Sequence, residues 1–96
     1  MNNDKSGGYG LVYQSVMRND DISRDAKTLY AYLSAFAGAS GKAFPSRATI
    51  CKELHMGKDL YTRCKKELQE QGIIDVQQER GSKGNFQKNV FVIKHL

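Results

Sequence analysis

With 96 residues, the chain suits one domain, and a core of this size can form without metal or disulfide support. Apolar residues make up 40% of the chain and charged residues 26%, and no apolar run approaches the ~20 residues that a membrane span requires. With no basic and apolar leader at its start, the sequence predicts a globular cytoplasmic protein and argues against the secretory and membrane-spanning classes.

The net charge of +5 is carried mostly by the second half of the chain. Residues 1–45 contain five basic and four acidic residues, whereas residues 46–96 contain ten and six. Residues 58–66 hold four bases against Asp59 alone, and residues 80–96 hold bases without any acid. This clustering predicts a polyanionic partner, and a merely solvated basic surface is the alternative.

The amino-terminal segment carries two different patterns. Residues 1–8 are rich in small and polar residues without periodicity, which predicts a flexible tail, with the domain spanning residues 9–96. From Tyr9 to Val16, aromatic and aliphatic residues alternate with small or polar ones. This alternation predicts a short N-terminal strand or an extended segment laid against the domain.

A first helix is predicted over residues 24–37. Ser23 is the expected N-cap, and Asp25 in the first turn complements the helix dipole. Gly38 and Gly41 end the pattern. Offsets of 0, 3, 4, 7, 10 and 11 place one apolar stripe on this helix, formed by Ala26, Leu29, Tyr30, Leu33, Phe36 and Ala37.

Two further helices are predicted over residues 46–55 and 58–71, joined by the short turn His55-Met56-Gly57. Ser46 is the expected N-cap of the second helix, Met56 is expected to plug the turn, and Gly72 follows the end of the third helix. The expected buried residues are Ile50, Cys51 and Leu54 in the second helix and Tyr61, Cys64 and Leu68 in the third, with Leu60 open to either side.

Two β-rich runs follow the third helix. One begins at Ile73-Ile74-Asp75-Val76, the other is Val90-Phe91-Val92-Ile93, and a glycine-rich tip at residues 81–85 separates them. Apolar and polar residues alternate along the first run, as in a half-exposed antiparallel strand. This order of elements predicts an α+β winged helix-turn-helix, which is a three-helix core with a β-hairpin wing. Such a module normally places its third helix in the major groove of DNA.

The third helix is the expected reader of DNA, because its apolar residues face inward and leave basic and hydroxyl side chains outward. The wing would add contacts to phosphates or to an adjacent minor groove. The candidate DNA-binding residues are Ser46, Arg47, Lys58, Asp59, Thr62, Arg63, Lys66, Arg80, Lys83 and Lys88. The alternatives are an ordinary surface helix, with i,i+4 pairs of Arg63 with Glu67 and of Lys66 with Glu70, and a basic hairpin that serves only solubility.

No set of residues predicts catalysis, and we expect neither an enzyme nor a cofactor. Residues 81–84 are too short for a phosphate-binding loop and lack the following helix. His55 and His95 are far apart and match no zinc spacing. Cys51 and Cys64 each lie on an apolar helix face, so they are expected to be small buried thiols rather than a disulfide, metal ligands or nucleophiles.

From Tyr9 to Ile93, the chain resembles the winged-helix DNA-binding domains of plasmid and phage replication initiators and of DnaD-like replisome organisers from Gram-positive bacteria. The residues that carry the resemblance are Ile22-Ser23, Ala26-Lys27-Thr28-Leu29-Tyr30, Ala43-Phe44-Pro45-Ser46, Lys66-Glu67-Leu68 with Gly72-Ile73-Ile74, and Asn89-Val90-Phe91. The chain departs from the family at Gly57, where Ser or Thr often caps the reader helix, and at His55, where a small or aliphatic residue is usual.

The resemblance implies binding of double-stranded origin or operator DNA as a homodimer. In the family, a separate domain that engages the replication machinery or oligomerises often follows, so the expectation is either the N-terminal domain of a longer initiator or a small protein that is complete as it stands. Apolar residues at Tyr9, Leu11 and Tyr13 would give a second copy a surface to cover. Transcriptional repression by the same fold is the close alternative, because operator and origin binding use the same physics. A winged helix that binds proteins through its wing and third helix is an alternative of a different class.

Overall fold

The computed structural model describes residues 8–43, 45–80 and 87–94. The three predicted helices are confirmed, with ends that differ from the prediction by at most one residue. The predicted tail up to residue 7, the wing tip at residues 81–85 and His95 lie outside the described residues. The elements in chain order are α1 Gln14–Met17, α2 Arg24–Ala37, a 3-10 turn Gly38–Ser40, β1 Lys42–Ala43, α3 Arg47–Leu54, α4 Lys58–Glu70, β2 Ile74–Arg80 and β3 Gln87–Ile93.

α2 begins where its capping residue predicts. The Ser23 hydroxyl accepts a hydrogen bond from the Ala26 amide, and Asp25 lies in the first turn. Its buried residues are Ala26, Leu29, Tyr30, Leu33, Ser34 and Ala37. Phe36, which was predicted on this stripe, is instead 57% exposed. At roughly 100° per residue, Phe36 lies at one edge of the stripe, and the buried arc extends to Ser34 on the other edge, where the amino-terminal segment packs.

α3, the turn and α4 form the helix-turn-helix. The Ser46 hydroxyl accepts from the Thr49 amide and caps α3, as predicted. His55 ends α3 with a φ of 55°, and among the described residues it is the one non-glycine with positive φ. Met56 is buried and its amide donates to the Cys51 carbonyl, which confirms that it plugs the turn.

The described part of the sheet has three antiparallel strands in the order β1-β3-β2. The wing hairpin pairs Ile74 with Ile93 at its base and Arg80 with Gln87 towards its tip. β1 pairs Lys42 with Val92 and was not predicted, because two residues are too few to show an alternating pattern. The sheet is therefore larger than the two-stranded wing that the sequence predicts.

The predicted N-terminal strand is wrong. Residues 8–13 are irregular, and Gln14–Met17 form α1. The Tyr13 amide donates to the Tyr30 hydroxyl of α2 at 2.9 Å, and Gly10 approaches α2 so closely that a Cβ there would lie 1.7 Å from the Ser34 carbonyl oxygen. The segment does lie against α2, as the alternative predicts, but only as far as Tyr13, because residues 14–16 of the predicted segment are helical.

One hydrophobic cluster joins the helices to the sheet, with α2 packed against α4, β1 and β3. Cys64 is buried in this cluster, but Cys51 is only partly buried, so the prediction of two buried thiols is confirmed for Cys64 alone. Both cysteines are free thiols. Among the described residues, no helix is long and apolar enough to cross a membrane. Because α4 and the wing share this core, the core sets their relative position.

Candidate nucleic-acid interface

α4 separates its buried side chains from its exposed ones. Tyr61, Cys64 and Leu68 are buried, as predicted. At roughly 100° per residue, the predicted contact residues of this helix fall on the other side within an arc of about 140°. They are Lys58, Asp59, Thr62, Arg63 and Lys66, and all five are exposed. The helix therefore presents three cations, a carboxylate and a hydroxyl-bearing side chain on one exposed face.

Arg63 is the side chain on this face that is best placed to read a base edge. The i,i+4 pair with Glu67 is not formed, because the Glu67 carboxylate binds Ser23 instead. Among the described residues, Arg63 has no acidic partner. Its planar guanidinium is thus available for a bidentate contact, which is the geometry that favours guanine O6 and N7.

The other exposed groups of α4 are partly engaged. The Thr62 hydroxyl donates to the Lys58 carbonyl oxygen at 2.9 Å, which leaves the Thr62 methyl and the two acceptor lone pairs of the hydroxyl for a partner. Lys66 pairs with Glu70 at 3.9 Å between two well-exposed side chains, which is one of the two pairs that the alternative of an ordinary surface helix predicts. Exposed i,i+4 pairs contribute only about 0.3–0.5 kcal/mol, so this pair does not prevent Lys66 from contacting a phosphate.

The amino ends of α3 and α4 differ in their capping. Gly57 is the N-cap of α4 and supplies no side-chain oxygen, so the first-turn amides of α4 keep their capacity to bind an anion. Ser46 and Arg47 are both exposed at the start of α3. The Ser46 hydroxyl, however, accepts from the Thr49 amide and donates to Thr49 Oγ1 at 2.9 Å. The Ser46 hydroxyl is thus engaged within the first turn of α3.

A hydrogen-bonded link fixes α4 to the start of α2. The Ser23 amide and hydroxyl both donate to the Glu67 carboxylate, the hydroxyl at 2.9 Å. The same hydroxyl also accepts from the Ala26 amide as the cap of α2. Sequence reasoning found Ser23 as a cap but missed this link, because the two residues lie 44 positions apart and no local pattern connects them. Ser23 and Glu67 therefore help to fix the position of α4 relative to α2.

The buried side of α4 carries two titratable groups, the Cys64 thiol and the Tyr61 hydroxyl. Burial raises the pKa of the Cys64 thiol, so it stays protonated near neutral pH and is a poor nucleophile. Burial also raises the pKa of Tyr61; nearby Cys51 raises it further and Arg47 lowers it. The Tyr61 hydroxyl has no hydrogen-bond partner among the described residues, and Lys65 Nζ lies 5.6 Å from its ring centroid.

Two of the predicted basic residues of the wing lie on its two strands. In the register of the hairpin, Arg80 lies opposite Gln87 and Lys88 lies opposite Glu79. Both basic residues therefore lie in the half of the hairpin that is far from its start at Ile74. Lys83 lies outside the described residues.

The profile of a family described as a helix-turn-helix domain matches residues 20–74. This range contains α2, β1, α3 and α4 and ends at the first residue of β2, so the match covers more than half of the chain and leaves out the wing. Neither the curated proteins nor the solved structures contain a significant match to the chain.

Proposed function

The chain belongs to this helix-turn-helix domain family, and we propose that it binds double-stranded DNA sequence-specifically, with α4 in the major groove and the wing on the flanking backbone. The observation that carries the proposal is the exposed face of α4, on which Lys58, Arg63 and Lys66 lie within one arc and Arg63 lacks an acidic partner among the described residues. On a surface helix that served only solubility, an ion pair between Arg63 and an acidic residue would add a little to the stability of the helix.

Replication initiation of a plasmid, phage or other mobile element is the role that we propose for this DNA binding. It is supported by the resemblance of Ala26-Lys27-Thr28-Leu29-Tyr30 and Phe44-Pro45-Ser46 to the corresponding segments of replication initiators. Transcriptional repression is the alternative. Selection of bound fragments from the native replicon, followed by footprinting, separates the two roles, because an origin site and a promoter site lie at different places.

We also propose that the protein acts in the cytoplasm as a homodimer, without a cofactor and without catalytic activity. A further domain of a longer protein would engage the replication machinery. For a two-fold dimer on DNA, the half-sites should lie about 10 to 10.5 base pairs apart or a multiple of that distance.

Arg63→Ala tests the reader helix. We expect it to weaken cognate binding by about 1 to 3 kcal/mol and to relax preference at one or two base pairs, because a bidentate base contact is lost. Arg24→Ala is the matched control, since Arg24 is an exposed arginine of α2 outside the proposed interface. The measurement is a salt titration of affinity on specific and scrambled duplexes, with the fold checked by circular dichroism.

Lys83→Ala tests the wing in the same assay. A phosphate contact carries no sequence information, so this variant should weaken cognate and scrambled binding alike and lower the salt slope by about one unit. If Arg63→Ala and Lys83→Ala both leave DNA affinity unchanged in folded protein, the protein-binding alternative becomes the better account of this surface.

A further inference from the structure

The exposed face of α4 contains an unpaired acid. Asp59 and Glu70 are both exposed, and both lie on the side of the helix that carries the three cations. Glu70 pairs with Lys66, but Asp59 has no cationic partner among the described residues. Because like charges repel, an unpaired carboxylate on a DNA-binding face weakens binding to every sequence alike. A contact that compensates for this repulsion has to come from a hydrogen-bond donor of the DNA.

Asp59 lies in the part of α4 that can reach base edges. It is the second residue of the helix, and the amino-terminal residues of a recognition helix are those that contact bases. Arg63 follows it by four residues, so the two side chains lie about 40° apart around the helix axis and about 6 Å apart along it. Glu70, in contrast, ends the helix about 16 Å further along the axis. Asp59 is therefore the acid that shares the base-contacting part of the face with Arg63.

Asp59 and Arg63 are not paired with each other. An acid four residues before a base is the favourable order for an ion pair on a helix surface. In the part of the chain that the structure describes, however, the one ion pair is that of Lys66 with Glu70. Both charged groups are thus available to a partner, with Arg63 offering hydrogen-bond donors and Asp59 offering acceptors.

The major groove contains two kinds of donor that a carboxylate can accept from. They are the N4 amino group of cytosine and the N6 amino group of adenine. Adenine also presents its N7 acceptor beside the amino group, and this atom repels a carboxylate oxygen, whereas cytosine presents no acceptor on its own edge. A carboxylate, which only accepts, therefore favours cytosine, while an amide, which both donates and accepts, matches adenine.

We propose that the Asp59 carboxylate selects a cytosine in the DNA target by accepting from its N4 amino group, within about two base pairs of the guanine that suits Arg63. The limit follows from the spacing of about 6 Å between the two residues along α4 and of about 3.4 Å between stacked base pairs. Repulsion by the carboxylate then lowers affinity for sites that lack the cytosine, so Asp59 determines specificity. The inference rests on the proposed DNA binding by α4 and adds the identity of one base.

Selection from a library of random duplexes, followed by affinity measurements on the selected site, tests this in the full chain. The wild type should enrich a site with a fixed cytosine near a fixed guanine. Replacing the cytosine by any other base, with its complement, should weaken wild-type binding roughly 5- to 100-fold. Asp59→Ala should bind the four duplexes within about threefold of one another. Asp59→Asn should instead prefer adenine at this position, because its amide matches adenine.

Three controls complete the design. Glu70→Gln removes an exposed carboxylate from the same side of α4 but at the far end of the helix, so it should keep the preference for cytosine. Arg63→Ala should lose the preference for the guanine and keep that for the cytosine. On the DNA, inosine in place of the guanine that pairs with this cytosine removes only a minor-groove amino group, so wild-type affinity should stay within about threefold.

Other roles of Asp59 give different results. If the carboxylate served only the dipole of α4, Asp59→Ala would raise affinity for all duplexes and keep the cytosine preference, which would overturn the inference. If Asp59 only oriented Arg63, its variants would lose preference at the guanine alone, and this would overturn it as well. Wild-type protein that binds duplexes without selecting a cytosine would overturn the inference but leave DNA binding in place. Wild-type protein that binds no duplex would instead refute the proposed function.

Discussion

Removal of the Ser23 hydroxyl should weaken the link between α4 and the start of α2, in which the Ser23 amide still donates to Glu67. In the structure this hydroxyl makes two hydrogen bonds, since it accepts from the Ala26 amide at 3.2 Å and donates to the Glu67 carboxylate at 2.9 Å. Ser23→Ala removes both. Glu67→Gln keeps an acceptor oxygen but removes the negative charge, which lies at the positive end of α2.

The expected energies follow from these contacts. Loss of the helix cap costs typically about 1 kcal/mol. The hydroxyl-to-carboxylate bond adds roughly 0.5 to 1 kcal/mol, which is below the value for a buried charged bond because Ser23 is exposed. Ser23→Ala should therefore destabilise the protein by about 1.5 to 2 kcal/mol, and Glu67→Gln by about 0.5 to 1 kcal/mol. The double variant should cost about 0.5 kcal/mol less than the sum of the two single variants.

Urea denaturation of the wild type and the three variants measures this coupling. Ser46→Ala is the matched control, because Ser46 caps α3 in the same way but does not contact Glu67. Its effect should add to that of Glu67→Gln. DNA affinity is the functional readout, and cognate binding should weaken more than binding to scrambled DNA, because the angle of α4 matters for base contacts. Additive effects of Ser23→Ala and Glu67→Gln, with cognate affinity unchanged, would refute the positioning role.

Two further predictions concern stability. Leu68→Ala truncates a fully buried residue of α4 and should destabilise the fold by roughly 2 to 5 kcal/mol in urea denaturation, whereas a near-neutral result would mean that the faces of α4 are reversed. His55→Gly should stabilise the protein by roughly 0.5 to 1 kcal/mol, because glycine adopts the φ of 55° at the end of α3 without the strain of a side chain. His55→Ala is the control and should give no such gain, and equal gains for both variants would contradict the strain argument.

The sequence by itself determined the helices and their faces. Ser23 and Ser46 cap the helices that they were predicted to cap, and Gly72 follows α4 with a φ of 73°. The inward set of α4 and its outward cations were also predicted. These features depend on residues within one or two helical turns of each other, so capping chemistry and the period of 3.6 residues are sufficient to find them.

The tertiary structure decided what depends on segments that are distant in the chain. The sequence placed Phe36 in the core and left a strand or an extended segment open at residues 9–16, but Phe36 is exposed, and the segment around Gly10 packs on Ser34 of α2 and forms no strand. It offered Glu67 as the partner of Arg63, but the fold brings Ser23 to that carboxylate. In each case a residue could contact either a neighbour in the sequence or a residue that is distant in the sequence. The local sequence pattern reveals only the first kind of contact. The tertiary structure provides the second kind, and here the second kind is the one that forms.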